Sequence, residues 1–208
     1  MIISKNLYVP LILIAVIVSV FSNFGSVISV IEQLTFTKIN ISNFGSLYTS
    51  SFNQTFFIEN QWWRLVSPIF IHFSFAHLAF NCLWIYILGE KIERVDNKAI
   101  FILLIVTSSI FSNFLQYYWT GSSLFGGLSG VIYGLLGYCM ILELESKFQR
   151  YELPPALYLF MIAWLVLGFL GLLDLFGFGK VANYAHLGGL ISGVMFAMIY
   201  KNFIKKLN

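Results

Sequence analysis

Charge is scarce in this chain. Lys, Arg, Asp and Glu make up 10% of its 208 residues, where a soluble domain carries about a quarter. That shortage excludes a large solvated surface. Cysteine is scarcer still, at two residues, Cys82 and Cys139, with no C-x-x-C pair. A disulfide framework and a thiolate zinc site are therefore excluded, and the two thiols read as small packing residues. Acidic clusters with metal-ligand spacing are lacking, as is a phosphate loop, so no metal and no organic cofactor is expected. No basic patch is interleaved with stacking aromatics, which excludes a nucleic-acid partner. Internal repeats and low-complexity tracts are absent too.

What the chain has instead is apolar length: 59% of its residues are hydrophobic. Runs of 18 or more apolar residues read as membrane helices. Six candidates stand out: Leu7 to Ile31, Pro68 to Gly89, Ala99 to Trp119, Gly127 to Leu144, Leu153 to Gly171, and Val181 to Tyr200. The first is too long for a signal-peptide core and no clean small-residue cleavage site follows it. The expected fold is all-α, a polytopic six-helix membrane bundle, read as one membrane domain over residues 1–208. With six spans both termini share a side with the second-to-third and fourth-to-fifth loops. That side holds nine of the twelve Lys and Arg residues, the other side Lys38, Arg64 and Lys180. The positive-inside rule then places both termini in the cytoplasm of an integral, multi-pass protein of the plasma (inner) membrane.

The longest connection, Glu32 to Arg64, mixes Asn, Ser and Thr with Phe44, Tyr48, Phe52, Phe56, Phe57, Trp62 and Trp63. So many aromatic groups do not suit a free loop. They collect at membrane interfaces, so part of this loop is expected to lie in the outer leaflet boundary.

Ionisable groups within spans mark function by default. All three histidines, His72, His77 and His186, lie in or next to spans. His77 and Asn81 are four apart and share a helix face, with Cβ atoms roughly 5–6 Å apart. His72 points to a neighbouring angle near the outer end. In the run FGGLSGVIYG, Phe125 to Gly134, one hydroxyl, Ser129, sits among glycines. Gly126 and Gly127 break the helix and put Ser129 at a helix N-terminus, where free N–H groups favour developing negative charge. Gly130 and Gly134 form a small-xxx-small stripe, and Ala185, Gly189 and Gly193 form a second one, headed by His186. Two such helices can touch and bring Ser129 to the imidazole of His186, a nucleophile beside a general base. The soluble G-x-S-x-G elbow does not fit, because Val131 stands where its last glycine belongs. Ser108, Ser112 and Gln116 form a polar stripe on the third span, read either as interhelical packing or as a water path to Ser129.

Trp63-Arg64, the run His72 to Asn81 (HFSFAHLAFN), GLSG at Gly127 to Gly130 and AHLGG at Ala185 to Gly189 stand in order and in the expected spans. With them the chain resembles the rhomboid family of intramembrane serine proteases from about Gln61 to Tyr200. The resemblance implies a six-helix core, Ser129 as nucleophile and His186 as general base. It implies an oxyanion site of His77, Asn81 and the Ser129 N–H. Tyr133 matches the aromatic that packs on the catalytic imidazole, His72 a histidine organising the outer cavity, and Glu93 and Arg94 a cytoplasmic charge cluster. Transmembrane protein substrates in the lipid bilayer are the implied partners. Leu124 departs from the family, where Trp is common. With the first span beginning at Leu7, no accessory domain is expected ahead of it.

Two other readings remain. A catalytically inactive rhomboid-like protein that binds membrane clients would have lost Ser129 or His186, and neither is lost. A transporter with a proton relay would carry Asp or Glu in mid-span, and none lies there. Asp174, after the fifth span, reads as a cap or a water-facing group and not as a third catalytic member.

Overall fold

The computed structural model describes residues 6–42, 45–145, 150–175 and 181–207, with backbone alone described at 145, 174, 175 and 203–207. The chain is mostly helical, at 71%. Its helices are α1 (Tyr8–Phe21), α2 (Ile28–Ile31), α3 (Phe75–Val95), α4 (Lys98–Thr120), α5 (Ser129–Glu145), α6 (Pro155–Phe169), α7 (Leu172–Leu175) and α8 (Asn183–Leu207). The long ones follow the six apolar runs, with instructive differences at their ends. Of them, α4 is long and apolar enough to cross a membrane by length and composition, while α1, α5 and α6 are shorter apolar helices.

The expected first span is too long. Helix α1 stops at Phe21, and the chain turns through Asn23, Phe24 and Gly25, all at positive φ. Ser22 holds this turn by accepting from the Gly25 N–H. The second helix starts later than its apolar run. Ser67–Phe70 forms a 3-10 turn, and α3 begins only after Ser74, whose hydroxyl accepts from the His77 N–H as an N-cap. His72 therefore lies in the extended segment before α3.

The all-α expectation misses a small hairpin in the long first loop. Strands β1 (Ile39–Ile41) and β2 (Leu47–Thr49) pair antiparallel, Ile39 opposite Thr49 and Ile41 opposite Leu47. Period-two alternation over three residues is too short a signal beside so many aromatics. The loop's rings pack on one another. Phe36 and Phe56 are fully buried, with centroids 5.3 Å apart, and Tyr117 of α4 lies 5.0 Å from Phe36. Arg64 is also buried and pins the loop. Its Nη1 donates to the carbonyls of Glu32 and Thr35, and its Nε to Gln61 Oε1 at 2.6 Å.

Within the bundle α5 is central, and its most extensive packing is against α8. The reason is steric. A Cβ placed on Gly189 would fall on the Gly130 carbonyl oxygen, and one on Gly193 on the Gly134 carbonyl oxygen. The two backbones touch directly, as the two glycine stripes predict. From the other side α4 presents Ser112 to Gly130 and Ser108 to Gly134. The outward faces are apolar: Leu13 of α1, Leu159 of α6 and Ile199 of α8 are 53%, 72% and 69% exposed.

Polar contacts close one end of the bundle. Glu93 of α3 accepts from the Leu7 and Tyr8 N–H groups at 3.0 and 2.8 Å, satisfying the start of α1, which has no cap of its own. The Tyr151 hydroxyl donates to Asp96 at 2.6 Å, and Arg150 pairs with the same carboxylate. Lys91, and after it Arg94, holds the Glu152 carboxyl below its ordinary range.

Gly193→Val should strike the α5–α8 contact one turn beyond the site. Overpacking costs about 1–3 kcal/mol where a side chain can yield, and here the obstacle is backbone, so a loss of at least about 3 kcal/mol is expected. Unfolding in detergent micelles measures it, and a wild-type midpoint would show that the helices separate freely.

Candidate active site

Ser129 and His186 meet at the heads of the two helices that touch. Ser129 is the first residue of α5 and His186 the fourth of α8. Because their glycine stripes are in contact, Ser129 Oγ lies 2.8 Å from His186 Nε2, a hydrogen-bonding distance. His186 is buried at 5% exposure and Ser129 is half-buried, so the imidazole is sheltered while the hydroxyl keeps access. The ring of Tyr133, one turn along α5, stacks on the imidazole with centroids 4.7 Å apart and planes 26° apart. Tyr133 is itself fixed, since its hydroxyl donates to the Met161 carbonyl on α6 at 2.9 Å.

The segment entering Ser129 is held on three sides. The Gly127 N–H donates to the Pro68 carbonyl at 3.2 Å, and the Leu128 N–H to His72 Nε2 at 3.4 Å. Gly127 has φ +116°, a conformation glycine tolerates and L side chains do not. A Cβ there would meet the His77 ring at Cε1 and Nε2, both 2.7 Å away, with Asn81 Nδ2 at 3.3 Å. His77 and Asn81 of α3 thus converge on the peptide just before the serine. The Asn81 side chain is buried, and neither its amide nitrogen nor its oxygen has a hydrogen-bond partner among the described residues. Buried amides are nearly always satisfied, which makes this one unusual among the described residues.

The structure brings Ser129, His186 and Tyr133 together and sets His77 and Asn81 against Gly127, with His72 5.0 Å from His77 between ring centroids. The Asp174 side chain lies outside the described residues. His186 Nδ1 is buried with no hydrogen-bond partner among the described residues. Cys82 and Cys139 are free thiols. Among the described residues no group of His, Cys, Asp and Glu could hold a metal ion.

Sequence reasoning underrated Gln116. Its Oε1 accepts from the Ala185 N–H at 3.0 Å, capping α8 one residue before His186. Ser108 and Ser112 lie against the α5 glycines, as the packing reading of the α4 stripe expects. The spacing showed the stripe, but a cap across helices has no local signature. Ser19 of α1 was missed altogether; its hydroxyl lies 3.4 Å from His72 Nδ1.

A helical bundle with a serine–histidine pair heading two glycine-packed helices defines a class of protein. Residues 59–203 match the family model described as the Rhomboid domain. The chain belongs to the rhomboid family. Among curated proteins it is similar to the rhomboid protease GlpG of Serratia proteamaculans (strain 568), 41% identical over 138 residues, which are 66% of this chain and 48% of that protein. It is 37% identical over 137 residues to the rhomboid protease GlpG of Yersinia pestis (strain Pestoides F), with the same coverage. The chain spans about half the length of the curated relatives it matches.

Gly127→Ala combines backbone strain with crowding of His77, whereas Gly121→Ala meets strain alone, at φ +66° with nothing within 4 Å. Strained φ costs about 1–3 kcal/mol. Unfolding midpoints should fall for both and clearly further for Gly127→Ala. Equal losses would show that the His77 ring gives way without resistance.

Proposed function

We propose that the chain is an intramembrane serine endopeptidase that cleaves transmembrane protein substrates with a Ser129–His186 dyad. The observation that carries this is the 2.8 Å contact between Ser129 Oγ and His186 Nε2 at the head of α5, beside the Asn81 amide, which has no hydrogen-bond partner among the described residues. Membership of the rhomboid family and the printed name of the relatives, rhomboid protease, support the same reading. The apolar outward faces of the helices suit lipid. In this reading residues 1–208 form one membrane domain of six spans, with both termini cytoplasmic in the inner membrane and the first loop partly embedded.

The chemistry is acyl transfer. His186 Nε2 takes the Ser129 proton as Oγ attacks the scissile carbonyl. The oxyanion is met by the Ser129 N–H at the start of α5, by Asn81 Nδ2 and by His77. His186 then gives its proton to the leaving amine, and water, activated by the same imidazole, hydrolyses the acyl-enzyme. Tyr133 holds the ring and His72 the entering loop. The client-binding alternative has no need of the Ser129–His186 contact, and no observation favours it.

Purified protein, a serine-directed fluorophosphonate probe and a panel of single-span substrates test this. Ser129→Ala and His186→Ala should each abolish cleavage, and the double variant should be no worse, since the two act as a unit. Asn81→Ala should retain weak activity, because removing one oxyanion donor costs roughly 10²–10³ in rate, about 2.7–4 kcal/mol. Cleavage by Ser129→Ala at the wild-type rate would remove the assignment.

A further inference from the structure

We infer that Ser19 of α1 is a positioning residue for this site: through His72 it holds the Leu128 N–H, and with it the peptide leading into Ser129. The inference rests on the protease reading for its consequence, but the contact stands on its own geometry. Ser19 and His72 are both fully buried. His72 Nε2 is the acceptor for the Leu128 N–H at 3.4 Å, so that nitrogen carries no proton. The proton of the neutral ring is then on Nδ1, which faces two oxygens, the Phe70 carbonyl at 3.3 Å and Ser19 Oγ at 3.4 Å.

Both oxygens are free to accept. A carbonyl always is, and the Ser19 hydroxyl spends its own proton on the Ala15 carbonyl at 2.7 Å, leaving its lone pairs to the imidazole. The direction of donation is therefore consistent along the whole chain: Leu128 N–H to His72, His72 Nδ1–H to Phe70 and Ser19, Ser19 O–H to Ala15. With the opposite tautomer, Nε2 would be a donor and would repel the Leu128 N–H one residue before the nucleophile. The partner an imidazole has at one nitrogen decides what the other can do. Ser19 lies outside the residues matched by the family model, 59–203, so this support is supplied by the first helix of this chain. Of the two, only His72 touches the loop that enters Ser129, and Ser19 acts through it.

The test compares the full-length wild type with Ser19→Ala and Ser19→Thr in detergent. Two readouts are used: labelling by a fluorophosphonate probe, and nitrogen NMR of isotope-labelled histidine. Ser19→Ala should slow the maximal labelling rate about fivefold, the factor set by one neutral hydrogen bond. The half-saturating probe concentration should be unchanged, and the unfolding midpoint nearly so. Ser19→Thr, which keeps the hydroxyl, should recover most of the rate. In the wild type His72, assigned as the histidine signal kept in both His77→Ala and His186→Ala, should be protonated at Nδ1 and bare at Nε2, and Ser19→Ala should shift that signal. Wild-type labelling by Ser19→Ala, or an unchanged histidine spectrum, overturns the inference. If the wild type is not labelled at all, the protease reading falls instead, and the histidine spectrum still decides the Ser19–His72 contact. If Ser19→Thr does not fold, the Ser19→Ala spectrum decides it in the same way.

Discussion

The constraint on which the rest depends is the backbone contact between α5 and α8. Ordinary helix pairs keep their axes about 8–10 Å apart because side chains fill the space between them. Here two carbonyl oxygens of α5, at Gly130 and Gly134, occupy the places where side chains of residues 189 and 193 would be. Ser129 precedes the first of these contacts by one residue and His186 by three, so the distance between Ser129 Oγ and His186 Nε2 is a consequence of glycine packing. The same approach leaves little room on the third side. Helix α4 fills it with serines, and Gly188 lets α8 come against the Phe111 carbonyl and the Ser112 backbone. Small polar side chains on an apolar helix thus answer first to volume; Ser109 and Ser112 donate to carbonyls of their own helix, while the Ser108 hydroxyl, against Gly134, is buried with no hydrogen-bond partner among the described residues.

A second constraint acts on the chain ahead of α5. Non-helical backbone in an apolar bundle must have its polar groups met by protein. The Gly127 and Leu128 N–H groups find the Pro68 carbonyl and His72. Both partners sit in the irregular stretch between the first loop and α3, and this explains why α3 begins as late as Phe75. Starting it at Pro68 would draw His72 and the Pro68 carbonyl into the helix and leave the loop that enters Ser129 unsupported. The N-cap at Ser74 is what ends the irregular stretch.

The sequence disclosed the parts of this arrangement that repeat along a helix. Glycine and alanine at intervals of four predicted the α5–α8 contact, the Gly126-Gly127 pair predicted the start of α5 at Ser129, and the four-residue spacing of His77 and Asn81 predicted their shared face. Hydropathy located the long helices but misplaced their ends, because Leu7 to Ile31 is continuously apolar through a turn that only Ser22, Asn23 and Gly25 betray. Contacts across large sequence separations left no local mark. Gln116 meets Ala185 from 69 residues away, Glu93 meets Tyr8 from 85, and Ser19 meets His72 from 53. Gln116 stood out only as part of a polar stripe and Glu93 only through the family resemblance, while Ser19 looked like any serine in a helix.

The pairing of Ser129 with His186 leaves a question of orientation that the neighbours answer. In a serine–histidine–aspartate triad the carboxylate fixes the tautomer and the plane of the imidazole. Here His186 Nδ1 has no hydrogen-bond partner among the described residues, so the plane must be set otherwise. Stacking on Tyr133 sets it from one face. Tyr133 is in turn held by α6 through Met161, and the backbone that carries His186 is fixed from α4 by Gln116. The ring is therefore positioned by three separate helices, none of which offers it a charge. Introducing an ionised carboxylate into this apolar surrounding would require its own hydrogen bonds and partners, whereas an aromatic face positions the ring without that demand. The proposed dyad is in this sense the arrangement that a bundle poor in charge can support.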